Sequence, residues 1–228
     1  MLFPAIAKQT YEKLRGLPAF SEITQFVIEH LKKITSPKER ARFVHNVVDE
    51  YNREIFAHPI VQQFLPCKSG CSGCCHTQVG VTSDEAELLA ERINDGIKID
   101  HNLLEIQLNA GNNPAGFYQL EYENRRCIFL GTDDSCRVYS DRPSVCRTNA
   151  VLGDASQCIP KEGSEEGSAI RLVKTEQSDM AIMGSFLMSS ESGNIAQMVG
   201  KILKKNHSLS PLKISKAPKK SVFKDITL

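Results

Sequence analysis

The stretch that most restricts how this chain can fold is the run CKSGCSGCC at residues 67–75, in which four of nine residues are cysteines. Packing does not require thiols at this density, so they either bind a soft metal or form disulfides. Gly70 and Gly73 stand between the cysteines, and glycine takes a positive φ without steric penalty, which suits a loop that turns around bound sulfur ligands. Such a loop is too rich in Gly and Cys to build a core of its own.

Four further cysteines follow at long intervals, and the chain has no others. A short loop can supply several metal ligands, while distant cysteines close the site by bringing a second segment alongside. We therefore predict that all eight thiols are metal ligands: Cys67, Cys71, Cys74, Cys75, Cys127, Cys136, Cys146 and Cys158. For His76, which follows the first group, we favour a place beside the site or at the surface over a place as a ligand.

The choice between metal and disulfides depends on the redox compartment. The N-terminus has no basic leader before an apolar run, Pro4 interrupts what run there is, and no window approaches ~18 consecutive apolar residues. We therefore expect a cytoplasmic protein without a membrane span, in which thiols stay reduced and dense cysteines bind metal. Adjacent Cys74 and Cys75 point the same way, because vicinal thiols bond to each other only with a strained peptide.

Composition excludes little else. A net charge of +1 and 41% hydrophobic residues are ordinary for a globular protein and make nucleic acid an unlikely partner. Eight lysines face a single aspartate in residues 201–228, which predicts a basic, flexible tail at 206–228. A weak contact of this tail with phosphate-bearing partners is the alternative. Nothing identifies a particular protein partner or substrate.

Hydrophobic periodicity and capping signals predict helices along most of the chain. Residues 1–20 should be a loosely packed lead-in with a short helix, and Ser36-Pro37 and the Thr82–Glu85 capping box should each begin a helix. Residues 127–130 resemble a short strand that turns back at 131–134. The predicted helices cover 21–34 (capped by Ser21), 37–57, 83–94, 100–110, 170–189 and 194–205.

These elements predict a mainly α fold with a small irregular or two-stranded β insert around a cysteine-ligated metal centre. We expect an N-terminal helical extension (1–59), a metal-binding domain (60–160), C-terminal helices packing on it (161–205), and the tail (206–228). Residues 161–168 are polar and Gly-rich and should be an exposed loop.

Basic residues are interleaved with the cysteines. Two interpretations carry equal weight: the cations offset the charge of a thiolate cluster, or they form surface pairs with Asp133, Asp134 and Asp141. The basic residues are Lys68, Arg125, Arg126, Arg137, Arg142 and Arg147.

The order of these motifs resembles a bacterial cysteine-cluster family named for its CxxCxxCC motif. The resemblance covers roughly residues 60–160 and implies binding of zinc or iron; flagellin lysine N-methylases carry a similar module. In this chain the first gap is three residues rather than two. The matching segments are Cys67-x3-Cys71-x2-Cys74-Cys75, Cys127-Ile-Phe-Leu130, Ser135-Cys136-Arg-Val-Tyr139 and Arg142-Pro143-x2-Cys146-Arg147.

Three functions remain open. The first is an iron–sulfur protein, with a [4Fe–4S] cluster favoured, acting in redox chemistry or within a protein-modifying system. The vicinal thiols and nearby cations favour this centre, although the chain lacks the ferredoxin run C-x2-C-x2-C-x3-C-P. The second is a zinc-stabilised interaction module without catalysis, although two C-x2-C knuckles are also lacking. The third is metal delivery or thiol sensing, which needs an exposed low-pKa thiol at Cys75 or Cys158. No catalytic triad, phosphate-binding loop or methyl-donor fingerprint is visible.

Overall fold

Helices make up most of the computed structural model, which describes residues 3–68, 70–158 and 172–206. The first half contains α1 (Ala5–Leu14), α2 (Pro18–Lys33), α3 (Pro37–Ala57), α4 (Pro59–Phe64) and α5 (Ser83–Asn94). The second half contains α6 (His101–Ala110), α7 (Pro114–Tyr118), α8 (Ser144–Arg147), α9 (Glu176–Met188) and α10 (Ile195–Lys205). Single 3-10 turns lie at Gly73–His76, Tyr122–Arg125, Tyr139–Asp141 and Ala155–Cys158.

Two short antiparallel pairs supply the β structure of the described residues. In the first, β1 (Gly80–Thr82) pairs with β4 (Ser192–Asn194). In the second, β2 (Ala150–Val151) pairs with β3 (Leu172–Val173). The prediction of a mainly α fold with a small β insert is confirmed. The loop expected at 161–168 and the tail expected from 206 onward, apart from Asn206, lie outside the described residues.

Most helix starts follow the capping signals. The Ser36 hydroxyl accepts the Glu39 N–H at the start of α3 (3.4 Å), and Thr82 and Glu85 form both halves of the capping box of α5. The predicted cap at Ser21 is wrong, because α2 begins one turn earlier at Pro18, whose fixed φ and missing N–H suit the first helical position.

Two buried clusters hold the helices together. The α5–α10 cluster combines α5, α6, α10 and residues 128–138, and Cys127 and Cys136 pack against it. The α2–α9 cluster combines α1, α2, α3 and α9. The expectation that residues 1–20 pack loosely is wrong, since Leu14 of α1 is 1% exposed inside the second cluster. The helices α2 and α3 pack mainly against α9 and less against each other.

The strand predicted at 127–130 is reduced to a single bridge between Leu130 and Cys136. The turn that follows is tight: the Gly131 N–H donates to the Ser135 carbonyl (2.8 Å), and Asp134 takes a φ of 58°. None of the helices in the described part of the chain combines the length and apolar character needed to cross a membrane.

Candidate metal centre

A cavity of about 810 Å³ lies between the two buried clusters, and cysteines form much of its wall. All eight cysteines of the chain are free thiols. Cys67 does not line the cavity, but its thiol is hydrogen-bonded to that of Cys71. The cysteines in the wall are Cys71, Cys74, Cys75, Cys127, Cys136, Cys146 and Cys158.

The loop that carries the first four cysteines is shaped by its glycines. Gly70 has a φ of +85°, in the left-handed region that favours glycine. A Cβ placed on Gly73 would lie 2.7 Å from the Cβ of Cys158, far inside van der Waals contact. The absence of a side chain at Gly73 therefore lets the most distant cysteine of the chain pack directly on the loop.

The second cysteine segment is joined to the first through its backbone. The N–H of Cys127 donates to the carbonyl of Cys75 (2.7 Å), and the Leu130–Cys136 bridge brings the next thiol back toward the same wall. Cys146 lies on α8, the helical turn that follows Pro143. The fold thus brings together thiols that are separated by up to 87 residues in the chain (Cys71 to Cys158).

A buried carboxylate fixes the position of α8. One oxygen of Glu85 accepts hydrogen bonds from the N–H and hydroxyl of Ser144, both at 2.7 Å, and His45 Nε2 of α3 lies 3.4 Å from it. The other oxygen accepts the Thr82 N–H at 3.1 Å. Complete burial raises the pKa of Glu85, but the hydrogen bonds and charge of His45 and the donors of Ser144 outweigh this effect and hold the pKa below its usual value. Glu85 therefore joins α3, α5 and α8 as a carboxylate.

Arg147 also holds the turn that carries Cys146 in place, through hydrogen bonds. Its side chain is 8% exposed, and Nη1 donates to Asp49 of α3 at 2.6 Å. Nε donates to the Arg142 carbonyl at 3.1 Å, and Nη2 donates to the Ser140 carbonyl. The guanidinium thus satisfies backbone carbonyls of the cysteine segment and attaches that segment to α3.

The interleaved cations divide between the two interpretations given above. Arg137 donates to the Lys98 carbonyl (2.6 Å), and Arg126 donates to the Gly131 carbonyl and lies 3.8 Å from Asp134. These arginines shape the backbone and the surface.

Arg142 is placed differently. It lines the cavity, and its charge acts on the thiols of Cys74, Cys136 and Cys146, favouring their thiolate forms. Arg142 therefore offsets thiolate charge at three cysteines, and the charge of Arg126 also favours the thiolate form of Cys127.

His76 does not line the cavity. Its ring stacks on Tyr122 with centroids 4.3 Å apart, and Nδ1 lies 3.3 Å from the Ser72 carbonyl. This position agrees with our preference for a histidine beside the site.

The thiols differ in their tendency to ionise. A hydrogen bond from the Cys75 thiol lowers the pKa of Cys74 to about 7, and the same hydrogen bond, together with burial, raises the pKa of Cys75. Burial raises the pKa of Cys127 to about 12 and also raises that of Cys158. The low-pKa thiol that a sensing function needs is therefore at neither Cys75 nor Cys158.

The donor set fits a thiolate-bound group, because sulfur ligands select zinc and iron–sulfur clusters. Among the described residues, however, no group of three or more Cys, His, Asp and Glu side chains is already arranged to hold a metal ion. The thiols surround the cavity instead of meeting at a point. Binding therefore requires either a group that fills part of the cavity or an inward movement of the cysteine loops.

These observations define a mainly α protein built around a cysteine-lined cavity. Residues 66–171 match the model of the CxxCxxCC family, whose description reads "Putative zinc- or iron-chelating domain". This match supports a metal-binding cysteine cluster of the zinc or iron type. Neither the curated proteins nor the solved structures contain a match to the chain.

The residues that position the cysteines are harder to read from the sequence than the cysteines themselves. Glu85 is recognisable as part of a capping box, but its bonds to Ser144 join residues 59 positions apart. Arg147 reads as one of several cations, and its pairing with Asp49 spans 98 positions. The sequence signal that could have pointed to Glu85 is its place as an acidic residue in the first turn of α5, which begins shortly after the cysteine loop.

Proposed function

We propose that this chain is an iron–sulfur protein whose centre is held by thiolates from both cysteine segments. The observation that carries the proposal is a cavity walled by seven cysteines, with the adjacent thiols of Cys74 and Cys75 beside the positive charge of Arg142. Cys74, Cys75, Cys127 and Cys146 are the preferred ligands, with Cys71, Cys136 and Cys158 in the same wall. A bound cluster would supply electron transfer or substrate activation.

The chain's own residues contribute charge, rigidity and exclusion of water. Arg142 offsets part of the negative charge that thiolate ligands bring. Glu85 and Arg147 hold the Cys146 turn against α3 and α5. We further propose that residues 60–160 form the metal-binding unit and that the flanking helices, 1–59 and 161–205, complete its support in a cytoplasmic protein.

The alternative is a zinc-stabilised interaction module. The position of the cysteines in the wall of a cavity between two buried clusters favours it, because a redox-inert ion at this place would act as a cross-link between the two cysteine segments. Thiolate-bound zinc contributes roughly 10–16 kcal/mol in zinc-finger peptides, comparable with the whole stability of a domain.

Elemental analysis with an electronic spectrum, on protein purified without oxygen, separates the two. The iron–sulfur proposal predicts iron and sulfide in the protein and a broad visible absorption that Cys74→Ser and Cys127→Ser each abolish. Cys67→Ser is the matched control, since Cys67 lies outside the cavity wall and should leave most of the iron in place. A colourless protein with stoichiometric zinc would overturn the iron–sulfur proposal in favour of the zinc module, and a protein that binds neither metal would overturn both.

A further inference from the structure

The cavity extends beyond the cysteines toward α1 and α9, where its lining is mostly apolar apart from Thr10 and Asp179. Ala7 of α1 and the side chains of Ile182, Met183 and Phe186 of α9 line it, each at most 9% exposed. Val79 closes the wall next to β1. The total volume of about 810 Å³ lies within the range of small-molecule sites, about 300–1,000 Å³. A metal centre bound at the thiols would therefore leave the apolar end of the cavity free.

Apolar side chains also lie at the exposed edge of the cavity, beside the charged side chains of Lys68 and Asp134. Seven large hydrophobic side chains are exposed in the described part of the chain, and four of them line this cavity: Ile6 (55%), Tyr118 (45%), Tyr139 (61%) and Leu172 (44%). Single exposed apolar residues are normal on protein surfaces, whereas several around one opening mark a binding site. The enrichment at this opening therefore indicates that an apolar molecule enters here.

Arg142 places a positive charge in the same wall. In the described residues no carboxylate lies within ion-pair distance of its guanidinium, and its buried Nε has no hydrogen-bond partner. The guanidinium packs over the Tyr139 ring, 4.1 Å from its centroid. Two other cations line the cavity: Lys174 is paired with Asp179 at 2.8 Å, and Lys68 is exposed to solvent. An unpaired, partly buried guanidinium favours an anionic group, above all a planar carboxylate that accepts two hydrogen bonds.

We infer that the cavity binds a small organic carboxylate with an apolar body. The carboxylate contacts Arg142 beside the thiols, and the apolar body occupies the end lined by α1 and α9. The inference rests on the proposed function only in placing the carboxylate next to an inorganic centre; the binding itself depends on the apolar wall and on Arg142.

Isothermal titration of the full-length, metal-loaded protein tests this inference with three eight-carbon compounds: octanoate, 1-octanol and octylamine in its protonated form. We expect octanoate to bind at least tenfold more tightly than either of the others. Arg142→Gln should remove this preference and Arg142→Lys should restore part of it, while Arg53→Gln, at an exposed arginine outside the cavity, should change nothing. Equal affinity for the three compounds, or no binding of octanoate, would overturn the inference.

A blocking variant tests the location. Thr10→Trp adds a large ring to α1 at a position that lines the cavity, and it should lower octanoate affinity at least tenfold. Lys13→Trp, on the exposed side of the same helix, is the control and should bind as the unmodified protein does. Unchanged affinity in Thr10→Trp, with circular dichroism confirming the fold, would place octanoate elsewhere and overturn the inference.

The same titration distinguishes this inference from the proposed function. Octanoate binding by a protein that carries zinc alone would support the cavity inference while refuting the iron–sulfur centre. A brown, iron-loaded protein that does not bind octanoate would refute the inference alone.

Discussion

Replacement of Glu85 by glutamine tests how the fold holds the Cys146 turn in place. The carboxylate is 3% exposed and accepts hydrogen bonds on both oxygens, from Thr82 on one side and Ser144 on the other. Glutamine has nearly the same shape, but one oxygen becomes an NH₂ donor. Because both sides of Glu85 present donors, one side must lose its acceptor in Glu85→Gln.

The expected cost follows from the bonds that are lost. Hydroxyl groups can rotate toward another acceptor, so we count only one backbone N–H, that of Thr82 or that of Ser144. A hydrogen bond to a charged group contributes about 1.5–3 kcal/mol. We therefore expect Glu85→Gln to lower the free energy of unfolding by about 2–3 kcal/mol, a large part of a typical domain stability of about 5–15 kcal/mol.

Urea unfolding followed by circular dichroism at pH 7 measures this change. Asp100→Asn is the matched control, because Asp100 also caps a helix, accepting the Leu103 N–H at 3.0 Å, and asparagine caps about as well as aspartate. If Glu85→Gln were no less stable than Asp100→Asn, Glu85 would not be the link between α5 and α8 that the geometry indicates.

The pH dependence gives a second check with a defined sign. The folded-state pKa of Glu85 lies below its ordinary value of 4.5, so its stabilising contribution is complete above pH 4.5 and is lost as the pH falls through the folded-state pKa. Below about pH 4.5 the stability difference between the unmodified protein and Glu85→Gln should therefore narrow. A difference that widens below this pH would contradict the assignment of Glu85 as a buried carboxylate.

Three further substitutions test other parts of the structure. Gly73→Ala should displace Cys158, whose Cβ would lie 2.7 Å from the new methyl, and lower the bound metal per chain, whereas Gly16→Ala meets nothing within 4 Å and should bind metal normally. Gly184→Ala brings a methyl within 2.8 Å of Val27 at the crossing of α2 and α9, so thermal denaturation should show a loss of about 1–3 kcal/mol; an unchanged melting temperature would mean that the helices pack less closely. Arg147→Lys keeps the positive charge but loses the simultaneous hydrogen bonds to Asp49, Ser140 and Arg142. Urea unfolding should therefore show a free energy of unfolding lower by about 2 kcal/mol. An unchanged free energy of unfolding would show that the charge alone is sufficient.

Local signals in the sequence were sufficient for most helices. The Thr82–Glu85 capping box and the Asp100 cap determine where α5 and α6 begin, because their side chains satisfy N–H groups within three residues. Gly111, with a φ of 76°, ends α6 where the sequence predicts a break. Such features depend on neighbours in the chain and can be read without knowledge of the fold.

Long-range packing was not predictable in the same way. β1 and β4 pair between Val81 and Gly193, and each strand has only three residues, too few for a period-2 pattern. Within α9, residues 180–186 are all buried. The helix therefore has no polar face in this part, and the orientation of its neighbours cannot be predicted from hydrophobic periodicity. The prediction of a strand at 127–130 that turns back was wrong in its extent, because the tight turn at Asp134 leaves only the pair Leu130 and Cys136 in register.

The cysteines that line the candidate site were recognisable from the sequence, whereas the residues that position them were not. Spacing alone grouped the thiols, because no packing role explains four cysteines within residues 67–75. The sequence did not show that Cys158 packs on Gly73, nor that Arg142 rather than Arg147 faces the thiols. Both facts depend on how the two cysteine segments are placed by α3 and α5.

The central claim is that both cysteine segments hold one inorganic centre, and the reactivity of each thiol tests it most directly. Iodoacetamide labelling of the metal-loaded protein, before and after anaerobic chelation, can be followed at each cysteine by mass spectrometry. We predict that Cys74 and Cys75 in the loop and Cys127 and Cys146 in the second segment are protected together and become reactive together as metal leaves, because loss of a centre that contributes as much as a domain's whole stability opens both segments. Protection confined to one segment, or labelling rates that chelation does not change, would contradict the account.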